Sequence, residues 1–98
     1  MNNSLMDITP ATRFQATRQL STADVGGESV VLNLQNGRYF GLNPVAATVL
    51  DWLVEPLSLD QLAARLTAKY AVDDARARQD LTQLLAGLRQ RQLIETVE

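Results

Sequence analysis

At Leu42-Asn43-Pro44 the apolar periodicity of this chain changes, and that single switch decides what can precede it and what can follow. Before it, apolar and β-branched residues alternate in short runs broken by one glycine pair and by Asn-Gly. After it they recur every three or four residues. The segment ESVVLNL, Glu28 to Leu34, reads as a strand. Asn36-Gly37 is the strongest short hairpin signal in a sequence, and Arg38 to Leu42 supplies the returning strand. Upstream, Phe14, Ala16, Thr17, Leu20, Thr22 and Val25 form an imperfect strand pattern that stops at Gly26-Gly27, where both residues can take the positive φ of a two-residue turn. The prediction is a three-stranded antiparallel meander. A two-residue turn at Asn36-Gly37 would make Gln35 and Arg38 the closing pair and set Leu34 opposite Tyr39, Asn33 opposite Phe40 and Leu32 opposite Gly41.

Beyond the switch, Asn43 can cap a helix that has Pro44 at its first position, where a missing N–H costs nothing. Val45, Val49, Trp52 and Leu53 follow, and the pattern ends near Glu55-Pro56. Trp52 shares a face with Val45 and Val49 and reads as core rather than as a ligand platform. Ser58 and Gln61 form a capping box for a second helix, with Leu59, Leu62, Ala63 and Leu66 buried, running to about Tyr70. Asp73 or Asp74 opens a third helix carrying Ala77, Leu81, Leu84, Leu85 and Leu88, and a short strand or tail begins at Leu93. Strands followed by helices argue an α+β domain with helices on one face of a small sheet. Residues 1–12 read as a flexible N-terminal arm, and 13–98 as one domain.

The residue inventory restricts the chemistry. The chain has no Cys and no His, so thiol nucleophiles, imidazole bases and the common zinc sites are excluded together. No G-x-S-x-G, S-x-x-K or phosphate-loop pattern surrounds its serines and glycines. Asp73-Asp74 at a helix start reads as a dipole-complementing cap rather than a metal pair. A net charge of −2 gives no general attraction to nucleic acid, and the aspartates at 73, 74 and 80 dilute the arginines of the third helix. With no targeting pattern and no apolar run long enough for a membrane span, the expectation is a soluble cytoplasmic protein without enzymatic activity, cofactor or metal.

In order along the chain stand the apolar strand before the turn, Gly37-Arg38-Tyr39, Leu42-Asn43 at the strand-to-helix junction, Leu62 to Tyr70, Asp80 with Leu84 and Leu88, and the closing Leu93-Ile94. This ordered set resembles the PqqD-like family, the leader-peptide recognition elements of ribosomally made, post-translationally modified peptides. The resemblance runs from about residue 14 to residue 95. Within the family, GRYFGLNPVAATVLDWL looks most like the stand-alone members that work with lasso-peptide machinery. PqqD proper, of the quinone-cofactor pathway, stands second, because its turn is shorter and contains proline.

The resemblance implies a winged helix-turn-helix: a three-stranded antiparallel sheet followed by three α-helices. It also implies that a precursor's leader lies as an added strand against the third strand, in the groove beside the third helix. The leader-binding candidates are Arg38, Tyr39, Phe40, Gly41 and Leu42 on the strand, and Asp80, Gln83, Leu84, Gly87 and Leu88 on the helix. Gly87 sits inside a helix at a cost of about 1 kcal/mol relative to Ala, so it either admits a ligand or eases helix packing. The implied role is a non-catalytic adaptor that presents the leader to a partner peptidase and a cyclase, with no nucleic acid or membrane partner. A winged-helix DNA-binding regulator and a purely structural subunit of a modifying enzyme are the competing readings.

Overall fold

In the computed structural model, which describes residues 8–97, strands β1 (Arg13–Ala16), β2 (Leu20–Val25), β3 (Glu28–Asn33) and β4 (Tyr39–Leu42) precede helix α1 (Pro44–Trp52). Strand β5 (Leu57–Ser58), helices α2 (Leu59–Tyr70) and α3 (Asp74–Gln90), and strand β6 (Ile94–Val97) follow. Strands β2, β3 and β4 form an antiparallel meander in that spatial order, and the three helices come after it, giving the α+β winged helix-turn-helix arrangement. A second small sheet, ordered β5-β1-β6, binds the two ends of the domain together, with Arg13 opposite Val97 and Ala16 opposite Ile94.

This second sheet corrects the expectation of one strand from Phe14 to Val25. The chain is diverted at Thr17-Arg18-Gln19 because its backbone groups there are claimed by other segments. Ala16 N–H donates to Leu53 O at 2.7 Å, Thr17 N–H to Leu93 O at 2.9 Å, and Gln19 O accepts from Leu34 N–H at 2.8 Å. Phe14 goes to the core, while β2 leaves all but Leu20 exposed. Of the expected N-terminal arm, residues 1–7 lie outside the described residues. Thr9 to Thr12 form a turn, and Pro10 O and Thr12 O accept from Asp60 and Leu59 at the start of α2.

The helix boundaries follow local chemistry. Asn43 Oδ1 accepts from Ala46 N–H at 2.8 Å and Pro44 occupies the first position of α1. This helix stops at Trp52, earlier than Glu55-Pro56, since Leu53 O is already bonded to β1. Ser58 and Gln61 make the reciprocal capping box of α2, at 3.1 and 2.8 Å. Asp73 caps α3 through Arg76 N–H at 2.8 Å. Arg78 bonds Asp74 on its own helix and Asp60 on α2, and these two hydrogen bonds raise its pKa.

Between these elements the core is aliphatic apart from one ring. Phe14, Val31, Val49, Leu53, Leu62, Leu81, Leu85, Leu88 and Leu93 are fully enclosed. Phe40, Leu42 and Trp52 pack against that cluster from its edge. The Arg65 guanidinium lies 5.8 Å from the Trp52 ring centre.

Candidate functional site

The first hairpin of the meander is as expected: Gly26 and Gly27 have φ of 61° and 87°, and Val25 pairs with Glu28. The second is not. Leu32 pairs with Tyr39, Val31 with Phe40, Val30 with Gly41 and Ser29 with Leu42, a shift of two residues from the register a two-residue turn would impose. The loop is Leu34 to Gly37, closed by Asn33 N–H donating to Arg38 O and Gly37 N–H donating to Asn33 O, both at 2.8 Å.

The cause is Asn33, the only buried polar side chain among the described residues. Its Oδ1 accepts from Gln35 N–H at 2.8 Å, folding the loop back on its own side chain, and its Nδ2 donates to Gln92 O at 3.0 Å. Gly37 takes φ of 76° and Asn36 Oδ1 accepts from Arg38 N–H at 2.9 Å. A slip of two residues, unlike a slip of one, leaves every side chain on its face.

Parity therefore survives. The Asn33–Arg38 bond makes Val31–Phe40 the next bonded pair, with Leu32–Tyr39 and Val30–Gly41 unbonded. Tyr39 and Gly41 direct their N–H and C=O groups away from β3, toward the outer edge of β4, which has no further strand beside it among the described residues. Phe40 and Leu42 turn their side chains to the core, while Tyr39 is 67% exposed. Arg38 is exposed at the start of this edge.

On α3, Asp80, Leu84, Gly87 and Arg91 recur at helical spacing and so form one strip. The Arg91 guanidinium lies 5.5 Å from the Phe40 ring centre, which places the C-terminal end of that strip against β4. At the other end, Asn43, Val45, Leu66, Asp80, Leu81 and Leu84 line a mainly apolar hollow of about 230 Å³. The C-terminal end of the strip thus lies at β4, and its Asp80 end lies at Asn43 and Val45, where β4 passes into α1.

Among the helix candidates, Leu84 is half-buried, Gln83 is exposed, and exposed Asp80 is held by Arg76 at 3.2 Å. A methyl group on Gly87 would meet only Arg91 Nη1, at 3.5 Å. Among the described residues no other element comes within 4 Å of that methyl, so close helix packing does not account for this glycine. Leu88 is 1% exposed and belongs to the core, with no surface left for a ligand. Val45, Leu66 and Leu81, which line the hollow, were legible only as helix-face residues. Arg91 carried no sequence signal separating it from the neighbouring arginines.

Among the described residues no group of three potential ligands could hold a metal ion, and no helix is long and apolar enough to cross a membrane. Asp73 serves as the α3 cap and Asp74 pairs with Arg78.

The model of the family described as Coenzyme PQQ synthesis protein D (PqqD) matches residues 28–94. No curated protein sequence matches the chain. Among solved structures, it is similar to a lasso peptide synthetase B1 complexed with the leader peptide, at 27% identity and a TM-score of 0.70, over 84% of this chain and 96% of that one. It is also similar to TbiB1 in complex with the TbiA(beta) leader peptide, at 28% identity and a TM-score of 0.73, over 86% and 98%. A third likeness, of fold alone, is to the PqqD truncation of Methylobacterium extorquens PqqCD, a stand-alone recognition element for ribosomally synthesized and post-translationally modified peptides. It has 23% identity, a TM-score of 0.76 and coverage of 95% and 99%.

Proposed function

Since the chain belongs to the PqqD family, we propose that it is a non-catalytic adaptor that binds the leader of a ribosomally made precursor peptide and presents it to a separate leader peptidase and cyclase, in a lasso-peptide pathway. The observation that carries this reading is the free β4 edge, where Tyr39 and Gly41 offer outward main-chain groups beside the α3 strip. A bare strand edge is normally a liability; beside a groove it is a device for adding a peptide strand. Main-chain bonds to the edge supply affinity. The hollow at Val45, Leu66 and Leu84 takes an apolar side chain of the leader and helps offset the roughly 2–5 kcal/mol needed to order it. Arg38, Tyr39, Phe40, Gly41 and Leu42 form one wall, and Asp80, Gln83, Leu84 and Gly87 the other. The two leader-bound neighbours at 27% and 28% identity support leader binding, and the first, a lasso peptide synthetase B1, supports the assignment to a lasso system.

The family description favours a second reading, a peptide chaperone in PQQ synthesis, which would use the same edge for a different precursor. Duplex DNA is disfavoured. Arg76 is paired with Asp80, and Arg78 with Asp74 and Asp60, so the third helix presents no basic stripe.

Fluorescence anisotropy tests the proposal with two labelled leader probes, the TbiA(beta) leader peptide and the leader of a precursor encoded beside this chain's gene, run alongside a labelled PQQ precursor and a labelled DNA duplex. Binding that persists without the core peptide, together with no mass change when pure protein is incubated with precursor, is the expected result. Binding only to the PQQ precursor moves the assignment to the second reading. Binding to duplex DNA and to neither leader, or turnover without partner enzymes, overturns the adaptor.

A further inference from the structure

The two walls of the proposed cleft are joined through one residue. Gln92, just past the end of α3, holds φ of 62°, a left-handed conformation that glycine adopts more cheaply. Its C=O accepts from Thr17 Oγ1 and from the buried Asn33 Nδ2, each at 3.0 Å. Its side-chain Oε1 accepts from Asn36 Nδ2, also at 3.0 Å. Asn33 and Asn36 shape the loop that launches β4, through Gln35 N–H and Arg38 N–H respectively. The residue that ends one wall is therefore bonded to both asparagines that begin the other.

Resting on the leader-binding reading, we propose that Gln92 is a positioning residue: with Asn33 and Asn36 it clamps the start of β4 to the end of α3 and sets the cleft spacing before a leader arrives. An added strand must lie about 4.8 Å from β4 for its main-chain bonds while its alternate side chains reach α3. Walls free to drift would satisfy one demand at the expense of the other. A cleft fixed in advance spares the complex that ordering cost. Keeping glutamine at a positive φ, where glycine would relieve the backbone, is consistent with a requirement for its side-chain oxygen.

The test separates clamp from fold. Gln92→Gly removes the Oε1 acceptor while easing the backbone and leaving the carbonyl for Asn33. Asn36→Asp keeps the acceptor for Arg38 N–H and removes the donor to Gln92. Gln92→Glu restores an acceptor. Leader affinity is measured with whichever of the two probes binds the parent more tightly, alongside thermal melts and hydrogen exchange of the Gly37 and Arg38 amides in the free proteins.

For Gln92→Gly and for Asn36→Asp, Kd should rise about three- to tenfold, the range one hydrogen bond is worth, with little further loss in the double variant. Their amides should exchange faster, Gln92→Gly should melt no lower than the parent, and Gln92→Glu should bind within about twofold of it. Parent-like affinity in both variants overturns the clamp, whether or not exchange changes, as does a loss of affinity that tracks a lowered melting temperature. A parent that binds neither probe is a separate failure, visible without any variant, and removes the leader reading together with the positioning role.

Discussion

Proline at position 41 should damage leader binding far more than it damages the fold. Gly41 pairs with Val30 without exchanging hydrogen bonds, so its N–H lies on the outer side of β4. Its φ is not positive and nothing lies within 4 Å of where a Cβ would stand, so that carbon of the ring has room. Gly41→Pro deletes one donor to the leader, about 0.5–1.5 kcal/mol, and puts Cδ where the leader's acceptor should sit. A rise in Kd of at least about tenfold is expected. Against this, the ring draws φ from the usual strand value toward about −65° and costs some stability, but less than Phe40→Pro, which also loses a bond inside the sheet and an aromatic ring.

Phe40→Pro takes a bond from inside the sheet, removes the ring from the core edge and removes the contact with Arg91. Its cost is about 4 kcal/mol or more, or a melting point lower by roughly 20 °C. Gly41→Ala retains the N–H and should bind like the parent. Circular dichroism melts and anisotropy on the three variants decide the matter. If Gly41→Pro folds and binds the leader with the parent's affinity, the leader does not add to this edge in this register.

Ser58→Ala should lower stability by about 1 kcal/mol, seen as a melting point about 4–8 °C lower, because it removes half of the α2 capping box. Phe14→Ala should cost about 3–5 kcal/mol in urea titrations, although Phe14 lies outside the residues matched by the family model. Asn33→Ala should cost about 1–3 kcal/mol by the same titration, since Gln35 N–H loses its acceptor and the loop its anchor. Stability should be flat from about pH 6 to pH 9 in melts at constant salt, as no histidine titrates there. The raised pKa of Arg78 favours the fold throughout the working pH range, and that contribution is lost only as pH climbs through the raised folded value.

Wherever a segment's partners are its own neighbours, its structure was legible in the sequence. The Gly26-Gly27 turn, the Asn43-Pro44 start and the Ser58–Gln61 box are local chemistry, and each is found where the residues place it. Three features depend on distant partners and were not legible. Strand β5 is two residues long and exists only because β1 lies beside it. The division of β1 from β2 is set by Leu53 and Leu93, far along the chain. The hairpin register was overruled when the Asn33 amide met the Gln92 carbonyl, a pairing 59 residues apart in sequence that no turn rule contains. Of the candidate site, the outward direction of Tyr39 and Gly41 came out correctly despite the wrong register, because the error was an even number of residues. Leu88 did not, since helical spacing alone cannot tell the groove side of a helix from its core side when the two faces adjoin.

The small sheet β5-β1-β6 has a mechanical meaning. Arg13 opens β1, Val97 closes β6, and the two are paired, so the chain enters and leaves the domain at one corner. A polypeptide joined at either end starts from the same place relative to β4 and α3, and one with the domain spliced into a surface loop would need only a narrow gap to receive it. Tension applied across the two ends loads the β1–β6 ladder one bond at a time, as in unzipping, rather than shearing all its bonds together. The domain should therefore yield at low force at this corner, with the β2-β3-β4 meander still folded when β1 and β6 part.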